Sequence, residues 1–228
     1  MKILGIDTST MRTSVGIVED NEIIAEYMLS GSRFHSEALT EMIDEIFAKL
    51  DFTIHDIDLL AVGVGPGSFT GVRIAVTVQK TFAQFLNKDI CGVSSLKAMA
   101  LETNSDRTIV SIVDAKRHRA YSGIYKEENG SLITLRDDDL KDVSEIIEEL
   151  SERGDKVLLT GPGRNSFLEE FKEKLDVAVT NDMGLSGTKI AKLALNKYKK
   201  EGTDNFFEVL PNYIRLSQAE REYEKRNS

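Results

Sequence analysis

The amino-acid sequence predicts an α/β fold of two similar halves, on three observations. Strand-type runs open each half, "KILGID" at 2–7 and "TIVSIVDA" at 108–115. Both are followed by further strand-type runs and then by alternating helical and strand patterns, so the order β-β-β-α-β-α begins twice. A polar, turn-rich stretch, "ETNSDR" at 102–107, lies between them. The expected division is 1–104 and 105–228.

In the first half, "TSVGIVE" (13–19) and "EIIAEYML" (22–29) read as strands, with Asp20-Asn21 marking a hairpin turn. Leu39, Met42, Ile43, Ile46, Phe47 and Leu50 recur at helical spacing and predict a helix over about 36–50. "DLLAVGV" (58–64) is apolar without alternation, as a buried central strand should be. In the next helix, about 70–86, Val72, Ile74, Ala75, Val76, Val78, Phe82, Ala83, Phe85 and Leu86 leave almost no polar face. Such a helix must be covered all round, by its own domain or by a partner. A strand "DICGV" (89–93) and a helix from Ser94 or Ser95 to Leu101 complete this half.

The second half continues with strands at 119–127 and 131–135, a helix near 143–152 and a strand at 156–161. Helices near 164–174 and 187–200 and a charged tail follow. "VLLTGPGRNSFLEEF" repeats the plan of strand, Gly-Pro-Gly and helix found earlier in "LLAVGVGPGSFTGVRIA".

Composition bounds the function. The 228 residues are 41% apolar and 29% charged, as in an ordinary soluble globular protein. A net charge of −9 repels phosphate backbones, so any role near RNA requires a basic partner. The single cysteine, Cys91, excludes a disulfide framework, fits a reducing compartment and reads as a small buried hydrophobe. No secretory signal is visible, and the longest uncharged stretch, Leu59 to Val72, is too short and glycine-rich to span a bilayer. The expected location is cytoplasmic, with no membrane partner.

Two glycine- and hydroxyl-rich turns are candidates for phosphate. In Gly65-Pro66-Gly67-Ser68-Phe69-Thr70-Gly71 neither the Walker A spacing nor G-x-G-x-x-G is met. Helix N-terminal amides and Arg73 could still meet an anion, but a tight turn that packs helix on strand is the better reading. "GIDTSTMRTSVGI" (5–17) has two readings. Asp7 could hold hydrated Mg²⁺ while Ser9, Thr10 and Ser14 bond phosphate oxygens, or these residues could only cap a turn. His35, His55 and His118 lack the clustering that a zinc or iron site needs. Ser68 and Ser95 lack a base for serine-hydrolase chemistry.

The motifs "ILGIDTST", "SRFHSEALTEMID", "GVGPGSFTGVRIA", "GVSSLKAMA", "VDAKRHRAYSGIY" and "LPNYIRLSQAE", in this order, resemble the TsaB (YeaZ) family over almost the whole chain. The family is the bacterial partner in tRNA threonylcarbamoyladenosine synthesis. The resemblance implies an actin-like (ASKHA) fold of two related βββαβα domains. It also implies a non-catalytic scaffold and activator, which pairs with a TsaD-like transferase and a TsaE-like ATPase and forms a homodimer when alone. Transfer to adenosine 37 of ANN-decoding tRNAs belongs to the TsaD-like subunit, and tRNA is met only through the complex. The His-x-x-x-His that binds metal in the catalytic relative corresponds here to Ser95 and Met99, which implies no metal site and no catalytic residue in this chain.

The resemblance places the pairing surface on the two helices at about 36–50 and 70–86. Leu39, Met42, Ile43, Phe69, Val72, Ala75 and Val76 are the expected interface residues. No intrinsic cofactor is implied, although ATP or ADP at a degraded cleft or at the complex interface is compatible with the family. One departure falls in the second half: the family commonly reads "DARRGEVY" where this chain has Lys116, Arg117, His118 and Arg119. The competing reading is an ATP-hydrolysing small-molecule kinase, which needs a further aspartate base besides Asp7. A metallopeptidase is the third.

Overall fold

The computed structural model describes residues 1–31, 35–181 and 184–214, with side chains omitted for 35–37. The motif residues 32–34 and 215–220 therefore lie outside the described residues. Each half is a five-stranded mixed sheet with helices. The first contains β1 (Lys2–Asp7), β2 (Arg12–Glu19), β3 (Glu22–Ser30), α1 (His35–Phe47), β4 (Leu59–Gly63), α2 (Phe69–Leu86), β5 (Asp89–Val93) and α3 (Ser95–Ala100). The second contains β6 (Thr108–Asp114), β7 (Arg119–Glu128), β8 (Ser131–Asp142), α4 (Val143–Glu152), β9 (Val157–Thr160), α5 (Arg164–Lys174), β10 (Val177–Val179) and α6 (Gly187–Glu201).

The sheet orders, β3-β2-β1-β4-β5 and β10-β9-β6-β7-β8, show the repeat directly. In each, an antiparallel three-strand meander is extended by two parallel strands. Asp20 and Asn21 take positive φ, 48° and 78°, as a hairpin turn of this kind requires. The two Gly-Pro-Gly turns also correspond, since Gly65 and Gly161 share a φ of +90°.

Two differences from the sequence reading have simple causes. β10 is three residues long and carries no periodic signal. β8 runs on to Asp142 through "RDDDLKD" because it pairs with β7 along its length, with two register shifts, at the edge of its sheet. Edge strands tolerate charge that central strands exclude.

The sheets divide between β5 and β6, but the packing does not. α6, from the second half, lies on the first sheet, where Ile190, Ala191, Ala194 and Leu195 join Ile3, Val18, Leu59, Ala61 and Cys91 in one core. α3, from the first half, lies on the second sheet: Ala100 packs with Ile109, Tyr125 and Leu158. Residues 202–214 then return to the first half. The Asp204 amide donates to Ile90 O at 3.0 Å, the Asn212 amide donates to Val64 O at 2.8 Å, and Val209 is buried in the α1–α2 core. A division at 104/105 thus separates sheets whose cores each borrow a helix from the other half.

α6 approaches the sheet backbone to backbone. A Cβ at Gly5 would fall 2.1 Å from Gly187 O, and one at Gly16 would fall 2.3 Å from the Thr188 amide nitrogen. Gly16→Ala should therefore lower unfolding stability by about 1–3 kcal/mol through overpacking. Chemical denaturation checks this, and both halves should unfold in one transition. Two separate transitions, or an unchanged midpoint, would count against the shared core.

Candidate functional site

The two candidate turns pack against each other. β1 ends at Asp7, which is fully buried. Asp7 Oδ1 accepts the Ser9 amide at 2.6 Å, and Oδ2 accepts the hydroxyl of Ser95, the first residue of α3. The Ser95 hydroxyl in turn accepts the Gly65 amide at 3.1 Å. Burial pushes the Asp7 carboxyl above its ordinary value, opposed by the hydrogen bonds from Ser95 and Ser9. Gly63 makes room for this group, because a Cβ there would lie 1.8 Å from Asp7 Oδ2.

Further along, the Ser68 amide donates to Ser9 O at 2.6 Å, and the Thr8 hydroxyl donates to Gly71 O at 2.5 Å. A Cβ at Gly67 or Gly71 would strike Ser9 O or Thr8 O, at 2.1 and 1.9 Å. The Ser68 hydroxyl caps α2 by accepting the Gly71 amide. The GPGSFTG glycines therefore seat α2 on the turn after β1.

The other hydroxyls are engaged too. Ser14 Oγ accepts the Gly187 amide at 2.8 Å and fixes the start of α6, and Thr10 Oγ1 accepts the Arg12 amide at 3.1 Å. Only Ser9 Oγ is buried without a partner in this group. These residues do not fit a phosphate and its Mg²⁺. Both Asp7 oxygens already accept hydrogen bonds from the protein, and the Ser9 and Ser68 amides and the Thr8 hydroxyl are spent on protein oxygens, which leaves the Ser9 hydroxyl alone in this group without a partner. The structure favours the turn-capping reading of Asp7, Ser9, Thr10 and Ser14.

Ser95 and Met99 lie one turn apart on α3, both fully buried. Met99 packs with Leu96 and Leu185, with Val113 and Tyr121 against them. Among the described residues no three His, Cys, Asp or Glu side chains cluster as metal ligands would. Cys91 is buried, and desolvation together with nearby Asp204 pushes its thiol up to about 11, so it is protonated. Among the described residues no helix is long and apolar enough to cross a membrane.

The expected interface residues need correction. Leu39, Met42, Ile43, Val72, Ala75 and Val76 are each at most 4% exposed and belong to the core between α1, α2 and the first sheet. Phe69 is half-buried, stacked on Tyr213 at 4.5 Å with the Arg73 guanidinium 4.1 Å from its ring. The reading of the 70–86 helix as apolar on nearly every side is also corrected: Thr70, Arg73, Thr77, Thr81 and Gln84 are exposed, and only the face carrying Val72, Ala75 and Val76 is covered, by the first sheet and α1. The apolar residues that α2 leaves outward are Ile74, Val78 and Phe82, half-buried in a stripe, and Phe85, 89% exposed.

With this geometry in place, relatives give the class. Residues 22–223 match the family described as TsaD, tRNA N6-adenosine threonylcarbamoyltransferase. The chain is 31% identical over 230 residues, covering 98% of each sequence, to the tRNA threonylcarbamoyladenosine biosynthesis protein TsaB of Bacillus subtilis (strain 168). A Pseudomonas aeruginosa crystal structure, described as an uncharacterized protein with similarity to peptidase YeaZ, superposes with a TM-score of 0.83 at 22% identity. It covers 94% of this chain and 99% of that one. The activator of the 2-hydroxyisocaproyl-CoA dehydratase from Clostridium difficile superposes with a TM-score of 0.50 at 15% identity, covering 90% and 99%.

The repeated sheets with exchanged helices define an actin-like α/β protein of the glycoprotease-like class. The chain belongs to the TsaB (YeaZ) family and takes part in tRNA threonylcarbamoyladenosine biosynthesis.

Ser95→Ala leaves a buried carboxylate oxygen without its donor and should destabilise the fold by about 1–3 kcal/mol. Calorimetry of the purified chain checks this; a variant as stable as the parent would show that the Asp7–Ser95 bond holds nothing.

Proposed function

We propose that this chain is a non-catalytic partner that holds a TsaD-like transferase in its active form through the outward face of α1 and α2. The observation that carries this reading is the stripe Ile74, Val78, Phe82 and Phe85. An apolar row on a helix that already fills its own core is suited to burial against a second helical surface. Around it lie exposed Thr70, Arg73, Thr77, Thr81 and Gln84 on α2, and Glu41, Asp44 and Glu45 on α1. They form a polar rim of the kind that surrounds protein interfaces.

The closed turn at Asp7 supports a role without chemistry of its own. A kinase needs an open Mg²⁺-nucleotide cleft, and here the residues that would line it hold α2, α3 and α6 instead. On this reading the same stripe pairs two copies when the transferase is absent. The TsaE-like ATPase and the tRNA are met in the assembled complex, nucleotide enters there rather than at this chain's own turn, and the work is done in the cytoplasm. With a net charge of −9, the chain leaves RNA contact to its partners.

The test separates surface from core. Thr81→Arg and Phe85→Glu, both at exposed positions, should weaken binding to the transferase subunit at least tenfold, about 1.4 kcal/mol, and slow adenosine 37 modification while leaving the melting temperature unchanged. Val76→Glu should instead unfold the chain. Full modification by the transferase and ATPase without this protein would overturn the proposal, as would undiminished binding by both surface variants.

A further inference from the structure

The turn between β6 and β7 corresponds, in the second half, to the Asp7–Thr10 turn of the first, and its backbone is unusual. Lys116, Arg117 and His118 take φ values of +68°, +59° and +58° in succession. Side-chain-bearing residues persist in this left-handed region only where their surroundings over-determine it. Here the Lys116 amide donates to Asp114 Oδ1 at 2.7 Å, Arg119 Nη2 donates to Leu140 O at 3.1 Å, and the Val143 amide donates to His118 O at 3.0 Å.

The backbone closes the turn as well, the Ala115 amide donating to Arg119 O at 2.9 Å and the Arg119 amide to Lys116 O at 3.3 Å, and the His118 ring ties it to the neighbouring helices. Its Nδ1 lies 2.9 Å from Asp142 Oδ1, and its Nε2 lies 2.6 Å from Glu170 Oε2. Phe167 sets the ring's orientation edge to face, with centroids 6.4 Å apart. Asp142 is the N-cap of α4 and accepts the Ser144 amide, while Glu170 belongs to α5. A neutral imidazole has one N–H, so it can donate to only one of these carboxylates and turns a lone pair on the other. The observed arrangement needs both nitrogens protonated.

We infer that His118 is a proton-dependent clamp: charged, it pins the β6–β7 turn to the cap of α4 and to α5, and on losing its proton it releases one carboxylate and loosens the turn. The charged groups on the ring are Asp142 and Glu170, and its sequence neighbours in the turn, Lys116, Arg117 and Arg119, are cationic. Lys116 is paired with Asp114 of β6 at 3.0 Å. Glu170 first, and then Asp142, hold the imidazole above its ordinary value of 6.5. A raised value means that the clamp is complete below that ordinary value and is lost as pH rises through the raised one.

An NMR titration of the full-length chain tests this. The His118 midpoint should lie above 6.5 and fall in Glu170→Gln. Amide protection at 115–119, corrected for intrinsic exchange, should drop as pH crosses the midpoint, and the drop should vanish in His118→Gln. Either of two results would overturn the clamp: a midpoint at or below 6.5, or turn protection that stays independent of pH in the parent protein. Because α4 and α5 lie apart from α1 and α2, binding of the transferase is not expected to follow this titration.

Discussion

The contact on which the rest of the structure depends is the approach of α6 to the first hairpin, where Gly5, Gly16 and Gly187 allow backbone to touch backbone. Hydrogen bonding reinforces it, since Ser14 Oγ receives the Gly187 amide. A few residues away, Asp7 receives the hydroxyl of Ser95 at the start of α3. The hairpin thereby fixes the first turn of both helices that cross between the halves. Neither half can complete its core without the other's helix, and both helices begin at the same buried turn.

This explains why a turn so rich in hydroxyls and glycines is closed. A nucleotide-binding turn needs amides and hydroxyls directed at an open cleft. Here Ser68, Gly65 and Gly187 amides are all spent on protein oxygens, so the same residue types serve as joints. With the interior committed, what the chain offers a partner is its outside. The outward row on α2 is continuous with the core through half-buried Ile74, Val78 and Phe82.

Much of this was legible in the sequence. Among the described residues, alternation and helical spacing located every α-helix and nine of the ten strands to within a few residues, except for the end of β8, because those patterns follow local burial. The repeated order and the matching Gly-Pro-Gly turns announced two related halves. The exchange of α3 and α6 was not legible, since nothing local says which sheet an amphipathic helix will cover. For the same reason Val72, Ala75 and Val76 could be recognised as part of an apolar helix but not assigned to core rather than interface. Gly5, Gly16 and Gly63 gave no signal as single glycines in strand patterns, and their meaning lies in atoms that are distant in sequence. The closeness of His118 to Glu170 is likewise a product of tertiary packing.

Native-state hydrogen exchange at the Ser9, Gly65, Ser68 and Gly187 amides tests the central claim most directly. These four amides belong to the joint between the crossing helices. They should exchange only through global unfolding, with opening free energies equal to one another and to the stability of the whole chain. Exchange of the Gly187 amide by a smaller, local opening while the first sheet stays protected would contradict the account, because the halves would then be separable at the turn that is said to join them.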